Sequence, residues 1–282
     1  MQRVLQCGTG CQPVLKKFRH GLAAHTTIGV FMLLLLIGCA RPPIVVAPKP
    51  EPRNPMTVPP QPTTMVLGMS MQQRPIELLV FGDTPNPVLV IGGIHGSEPT
   101  SVDVAQRLAT NLLNDPAIWY GTTGKSVALI PVANPDGYAR LSRTNAAGVD
   151  VNRNFPAKNF RVRDTSRSSN GPEPLSEPES RAIKQAIDTL QPRLIISIHS
   201  IDDERKCNNY DGPAEAIAQL MSQHNGYPVT PTMGYPTPGS LGSWAGIDQG
   251  IPIITLELPR KQPGEQAWSV NREAILAAIQ AK

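Results

Sequence analysis

Residues 88–98 read Val-Leu-Val-Ile-Gly-Gly-Ile-His-Gly-Ser-Glu, an apolar run, two glycines, and then a histidine and a glutamate three positions apart. A short segment that is apolar at every position and rich in β-branched residues reads as a strand buried on both faces. The flanking sequence supports this. Residues 100–113 space their apolar side chains at helical intervals, and residues 127–132 form a second buried strand that runs into Asn134-Pro135-Asp136-Gly137, a turn signal. Upstream, residues 76–81 read as a strand, and the folded pattern begins near residue 74. Downstream, residues 194–198 and 251–258 read as strands, and residues 214–223 and 266–279 as helices. Ser176 and Glu179 have the spacing of a capping box that opens another helix ending near Leu190. Strands alternating with helices predict an α/β fold with a mostly parallel, mixed twisted sheet flanked by helices on both faces. Ligands in such sheets bind beyond the carboxyl ends of the strands.

Those strand ends hold the residues with chemical capacity. The strand at 88–91 leads to His95 and Glu98, the strand at 194–198 ends at His199, and the last strand contains Glu257. The strand at 127–132 leads into a loop that holds Arg143 and Asn152-Arg153-Asn154. A catalytic zinc takes three protein ligands and keeps one position open, and imidazole and carboxylate suit it. His95 and Glu98 can reach one ion from a single turn. Downstream of residue 38 the other histidines are His199 and His224, and His224 ends a polar-faced helix and reads as a surface residue. His95, Glu98 and His199 are therefore the expected ligands of one Zn2+ per chain. An H-x-x-E spacing alone is common by chance. Glu257 says more, because a carboxylate in an apolar strand is costly unless it is paired or lies near an ion. An ion pair with Arg260 is the structural alternative.

The 282 residues carry a formal net charge of +4, but four of the 26 basic residues lie in the first 38, which hold no acid. The remaining 22 basic residues balance 22 acidic ones, so composition gives no case for nucleic acid as a partner. Residues 29–38, GVFMLLLLIG, follow basic residues and precede Cys39, and are too short to span a bilayer easily. The end of this run, Leu36-Ile37-Gly38-Cys39, resembles a bacterial lipoprotein signal. Residues 1–38 are thus expected to be a cleaved leader and Cys39 the lipidated N-terminus anchoring the chain to a membrane. Cys7 and Cys11 would leave with the leader, and Cys207 would stand alone as a buried, small apolar residue. Residues 39–65 are proline-rich and read as a semi-rigid tether. Residues 66–282 are then the catalytic domain.

The set HGSE, NPDGYARLSRTNAAGVDVNRNFP, SIHS and TLELP, in that order and spacing, resembles the zinc carboxypeptidases of the funnelin type over roughly residues 75–282. The resemblance implies zinc ligands at His95, Glu98 and His199, and a general base at Glu257. It also implies that Arg143 polarises the scissile carbonyl, that Asn152 and Arg153 grip the substrate's terminal carboxylate, and that Tyr235 closes over the substrate. Ser97 and Ile201 depart from the digestive enzymes, and Gly242 and Ser243 leave no visible acidic or hydrophobic specificity filter. The stretches GGIHGSEPTS and GPEPLSEPES resemble instead the bacterial murein peptide amidase branch. That likeness implies hydrolysis of the γ-D-glutamyl–meso-diaminopimelate bond of cell-wall peptides in the bacterial envelope. Ala40 after Cys39 points to the periplasmic face of the outer membrane rather than the inner membrane. The alternatives are a zinc carboxypeptidase of other peptides, an acyl-amino acid deacylase and a non-catalytic wall-binding lipoprotein.

Overall fold

The computed structural model describes residues 61–121, 124–165 and 168–281. The leader, the lipidation site Cys39 and nearly all of the tether lie outside these residues.

The four strands with the most continuous apolar character form the centre of one sheet. They are β3 (Val88–Ile91), β4 (Val127–Ile130), β5 (Leu194–Ile201) and β8 (Ile253–Pro259). They run parallel in the order β4-β3-β5-β8. Every residue of β3, β4 and β5 is buried, as double coverage requires. One face packs on α1 (Pro99–Asn114), α4 (Glu215–Asn225) and α5 (Gly264–Gln280), with Val90, Leu108, Ile196 and Ile275 in the shared core. The other face packs on α3 (Pro178–Leu190), with Leu89, Ile183, Ile187 and Ile195 between them. The sheet is mixed and helices cover both faces, as expected.

The edges are antiparallel. β2 (Pro75–Phe81) pairs with β4 on one side and with β1 (Thr63–Met69) on the other. β1 begins inside the stretch read as tether, three residues before the expected boundary at residue 66. Its side chains are mostly exposed, so no alternation of apolar and polar residues marks it. At the far edge, β6 (Cys207–Asp211) runs antiparallel to β8 and parallel to the two-residue strand β7 (Val229–Thr230). The sequence of β6, Cys-Asn-Asn-Tyr-Asp, has no apolar pattern to announce a strand.

Two local expectations change. Asn134-Pro135-Asp136-Gly137 is the start of a short helix, α2 (Pro135–Ala139), in which Asn134 Oδ1 accepts from Gly137 N at 2.8 Å. Ser176 is not an N-cap, because α3 starts at Pro178 with Glu177 in the cap position. The hydroxyl of Ser176 donates to Glu177 Oε1 and accepts from Asn154 Nδ2, while Glu179 turns inward to Asn145.

Candidate metal centre and catalytic pocket

His95 and Glu98 sit on the turn between β3 and α1. A Cβ at Gly96 would overlap the backbone of Gly137, so glycine lets this turn press against α2. Asn134 fixes the same turn, donating from Nδ2 to Ile94 O at 3.2 Å and from its backbone N–H to Gly93 O at 2.9 Å. Glu98 is the N-cap residue of α1, but its side chain caps nothing. Its Oε2 accepts from Ser200 N at 3.0 Å on β5.

The backbone brings His199 to the same place. Ile91 pairs with Ser197, so the turn beyond β3 faces the next residues of β5. His95 Nδ1 lies 2.9 Å from Glu98 Oε1 and 3.2 Å from His199 Nδ1, and His199 Nδ1 lies 3.1 Å from Glu98 Oε2. Ligand atoms of all three residues fall within 4.8 Å of one another, and all three side chains are buried. Burial works against the charge of Glu98, but His95 and His199 outweigh it and hold its carboxyl far below the usual range. Two imidazoles and an ionised carboxylate facing one point fit a catalytic zinc ion.

The outer nitrogens of the rings are also held. His95 Nε2 lies 3.1 Å from Asp150 Oδ1, and His199 Nε2 lies 3.0 Å from Ser197 Oγ. Such partners fix ring orientation and tautomer. Asp150 also accepts from Arg143 Nε at 2.9 Å, and its carboxyl is held well below the ordinary range because His95 and Arg143 overcome its burial. Sequence reasoning assigned no role to Asp150. The available signal was an acid flanked by valines in a turn that leads into Asn152-Arg153.

Arg143 reaches from this loop to within 3.6 Å of Glu98 Oε1 and keeps part of its guanidinium exposed. Arg153 is half-buried on the same pocket wall, and its Nη1 donates to Asn152 O at 2.6 Å. Asn152 Oδ1 accepts from Leu241 N at 2.9 Å, which ties the loop to another segment that lines the pocket.

Glu257 pairs in register with His199 on β5 and with Cys207 on β6. It is buried, and desolvation raises its carboxyl above the usual value although His199 and His95 pull it down. Arg260 does not neutralise it but lies 3.7 Å from Asp202 Oδ1. Cys207 is a buried free thiol, pushed up to about 12 by burial and by the nearby Glu257 charge, so it is inert packing. Tyr235 stands on the pocket rim, 42% exposed, with the Arg205 guanidinium 5.2 Å from its ring centre. His224 is exposed at the end of α4, away from the cluster. The expected site residues that fall among the described residues therefore line one cavity of about 250 Å³.

This arrangement has known counterparts. The zinc carboxypeptidase family matches residues 56–208, a span that holds His95, Glu98, Arg143 and His199 but ends before Glu257. Murein peptide amidase A of Escherichia coli K12 is 34% identical over 183 residues, which cover 61% of this chain and 70% of that relative. Carboxypeptidase A2 of Rattus norvegicus is 31% identical over 228 residues, 66% of this chain and 54% of the relative. The crystal structure of the murein-tripeptide amidase from Escherichia coli O157 matches with a TM-score of 0.65 and 28% identity, covering 80% of this chain and 94% of that one.

Proposed function

This chain belongs to the zinc carboxypeptidase family and is a zinc metallopeptidase, and we propose that it cuts cell-wall peptides at the γ-D-glutamyl–meso-diaminopimelate bond. The observation that carries the chemistry is the meeting of His95, Glu98 and His199 beside a buried, otherwise unneutralised Glu257. Support for the substrate is the likeness to two proteins named murein peptide and murein-tripeptide amidases.

In this reading His95, Glu98 and His199 hold one zinc ion per chain. Zinc in such a site supplies Lewis acidity toward a carbonyl and brings a water molecule's pKa toward neutrality. Glu257, with a carboxyl raised by burial, accepts the proton of the attacking water and returns it to the leaving amine. Arg143, fixed by Asp150, offers a preformed positive charge where the carbonyl oxygen becomes anionic. Arg153 and Asn152 receive the substrate's free carboxylate, for which a guanidinium fork is the matching shape. Tyr235 covers the substrate from the rim.

The same proposal extends to location. Cleavage before Cys39 and lipidation of its thiol would tether the catalytic domain to the envelope, at the periplasmic face of the outer membrane, where wall peptides are within reach. Mass analysis of the mature N-terminus checks this.

The test of function is incubation of the full-length protein with L-Ala-γ-D-Glu-meso-diaminopimelate, with and without a zinc chelator, and mass spectrometry of the products. Chelator-sensitive release of free diaminopimelate is the expected result. Release from ordinary C-terminal peptides or acyl-amino acids but not from this tripeptide would overturn the murein assignment.

A further inference from the structure

Arg143, Arg153, Arg205 and Arg260 line the catalytic cavity, and the chemistry above uses only the first two. Arg143 is held by Asp150, and Arg153 receives the substrate's terminal carboxylate. Arg260 lies 3.7 Å from Asp202 Oδ1. Arg205 has no carboxylate within ion-pair distance among the described residues, although Asp202, Asp203 and Glu204 directly precede it.

The topology puts Arg205 at the mouth of the pocket. β5 carries His199 and ends at Ile201, and the turn Asp203–Arg205 follows beyond the strand end. β6 then runs back along β8, from Cys207 beside Glu257 to Asp211 beside Ile253 at the inner end of the pocket. Arg205 comes before Cys207 in the chain and so lies outward of the level of Glu257. Electrostatics agrees with this placement. Burial raises the Cys207 thiol most, Glu257 raises it further, and Arg205 lowers it, so both charges act on one side chain.

Arg205 is exposed, yet its guanidinium is held at two points. Nη2 donates to Met233 O at 3.1 Å, and the group stands 5.2 Å from the centre of the Tyr235 ring. A cation over an aromatic face is attracted by the ring. Both contacts come from the segment that carries Tyr235, the residue assigned to cover the substrate. Most N–H donors of the guanidinium remain unspent. A fork with free donors, held beside the lid tyrosine, has the shape to take a carboxylate in two parallel hydrogen bonds.

We propose that Arg205 is a specificity residue that binds the free carboxylate of a glutamyl residue on the acyl side of the cut bond. The inference rests on the peptidase reading of the site. With the terminal carboxylate at Arg153 and the scissile carbonyl between the metal ligands and Arg143, the acyl side of the substrate leaves by the mouth, past Tyr235 and Arg205. A γ-linked glutamate presents its α-carboxylate there. An α-linked glutamate presents its side-chain carboxylate, with the same carbon atoms between the two groups. The contact therefore reads the acid in either linkage.

The experiment uses the full-length, zinc-loaded protein and two pairs of peptides. The first pair is L-Ala-γ-D-Glu-meso-diaminopimelate and its analogue with γ-aminobutyrate in place of glutamate, which keeps the chain length and removes only the α-carboxylate. The second pair is α-linked, with glutamate or glutamine before the cut bond. Wild type should favour the acidic member of a pair by roughly 10-fold in kcat/KM, the low end for a hydrogen bond to a charged group because the mouth is open to water. Arg205→Gln should abolish that preference, and Arg205→Lys should retain part of it. Zinc content and the denaturation midpoint show that each variant is folded. A wild type without acid preference, or an Arg205→Gln variant that keeps it, overturns the role of Arg205. Cleavage of the α-linked pair but not of the wall tripeptide, with a preference abolished by Arg205→Gln, upholds the inference and removes the murein reading. Cleavage of the wall tripeptide with equal selectivity in wild type and Arg205→Gln does the reverse. Cleavage of neither pair overturns both.

Discussion

His95 Nε2 donates to Asp150 Oδ1 across 3.1 Å, and this bond directs the other ring nitrogen at Glu98 and His199. The two residues are 55 positions apart, and the acid also holds Arg143. One carboxylate therefore sets both the ring orientation of His95 and the position of Arg143. Asp150→Ala should weaken zinc binding by roughly 10- to 100-fold, the usual cost of losing a ligand's outer partner. Competition with a chromogenic chelator measures this, and unchanged affinity would leave Asp150 with the arginine alone.

Glu257→Gln should keep one zinc per chain while turnover falls by about 100- to 10,000-fold, the range for a lost general base. The pH profile gives an independent check. Burial raises the Glu257 carboxyl, and the base works only when ionised. Activity should fail as pH drops through that raised pKa, so the acid limb of kcat/KM should lie above the range of an exposed glutamate. An acid limb within the ordinary carboxylate range would show that Glu257 does not control it.

Arg153→Ala should raise KM by about 10- to 100-fold and change kcat little, as expected when a charge-assisted contact to the substrate carboxylate is lost. The same substitution should have little effect on zinc content, because Arg153 does not touch the ligand histidines. A fall in kcat at constant KM would move Arg153 from carboxylate binding to the chemical step.

Asn145 supports the loop that carries Arg143 and Asp150. Its Nδ2 donates to Glu177 Oε2 at 2.6 Å and to Glu179 Oε2 at 2.9 Å, and its Oδ1 accepts from Ala147 N and Val149 N. Asn145→Ala would leave two buried carboxylates facing each other without their shared donor. The expected loss is about 1–3 kcal/mol of stability, read from chemical denaturation. Unaltered stability would mean that water replaces the amide without cost.

The sequence by itself determined the core of the fold and most of the candidate site. Residues 88–91 and 194–198 are apolar at nearly every position, and only a doubly covered parallel strand buries such a run. His95 and Glu98 were legible because they belong to one turn and their chemistry is local. Glu257 was legible because a carboxylate stands out in an apolar strand. The edges were not legible: β1 exposes most of its side chains and β6 is polar, and each owes its place to backbone pairing with a neighbour. The expected capping box at Ser176 failed because Asn154, 22 residues away, takes the serine hydroxyl and the Glu177 N–H. Tertiary structure alone decided which acid steadies His95 and which carboxylate lies at the inner end of the pocket. Asp150 meets His95, and Asp211 fills the space beside Gly242, through contacts between distant segments. Local spacing records the periodicity of helices and strands, but it does not record which side chains the packed sheet brings within reach of one another.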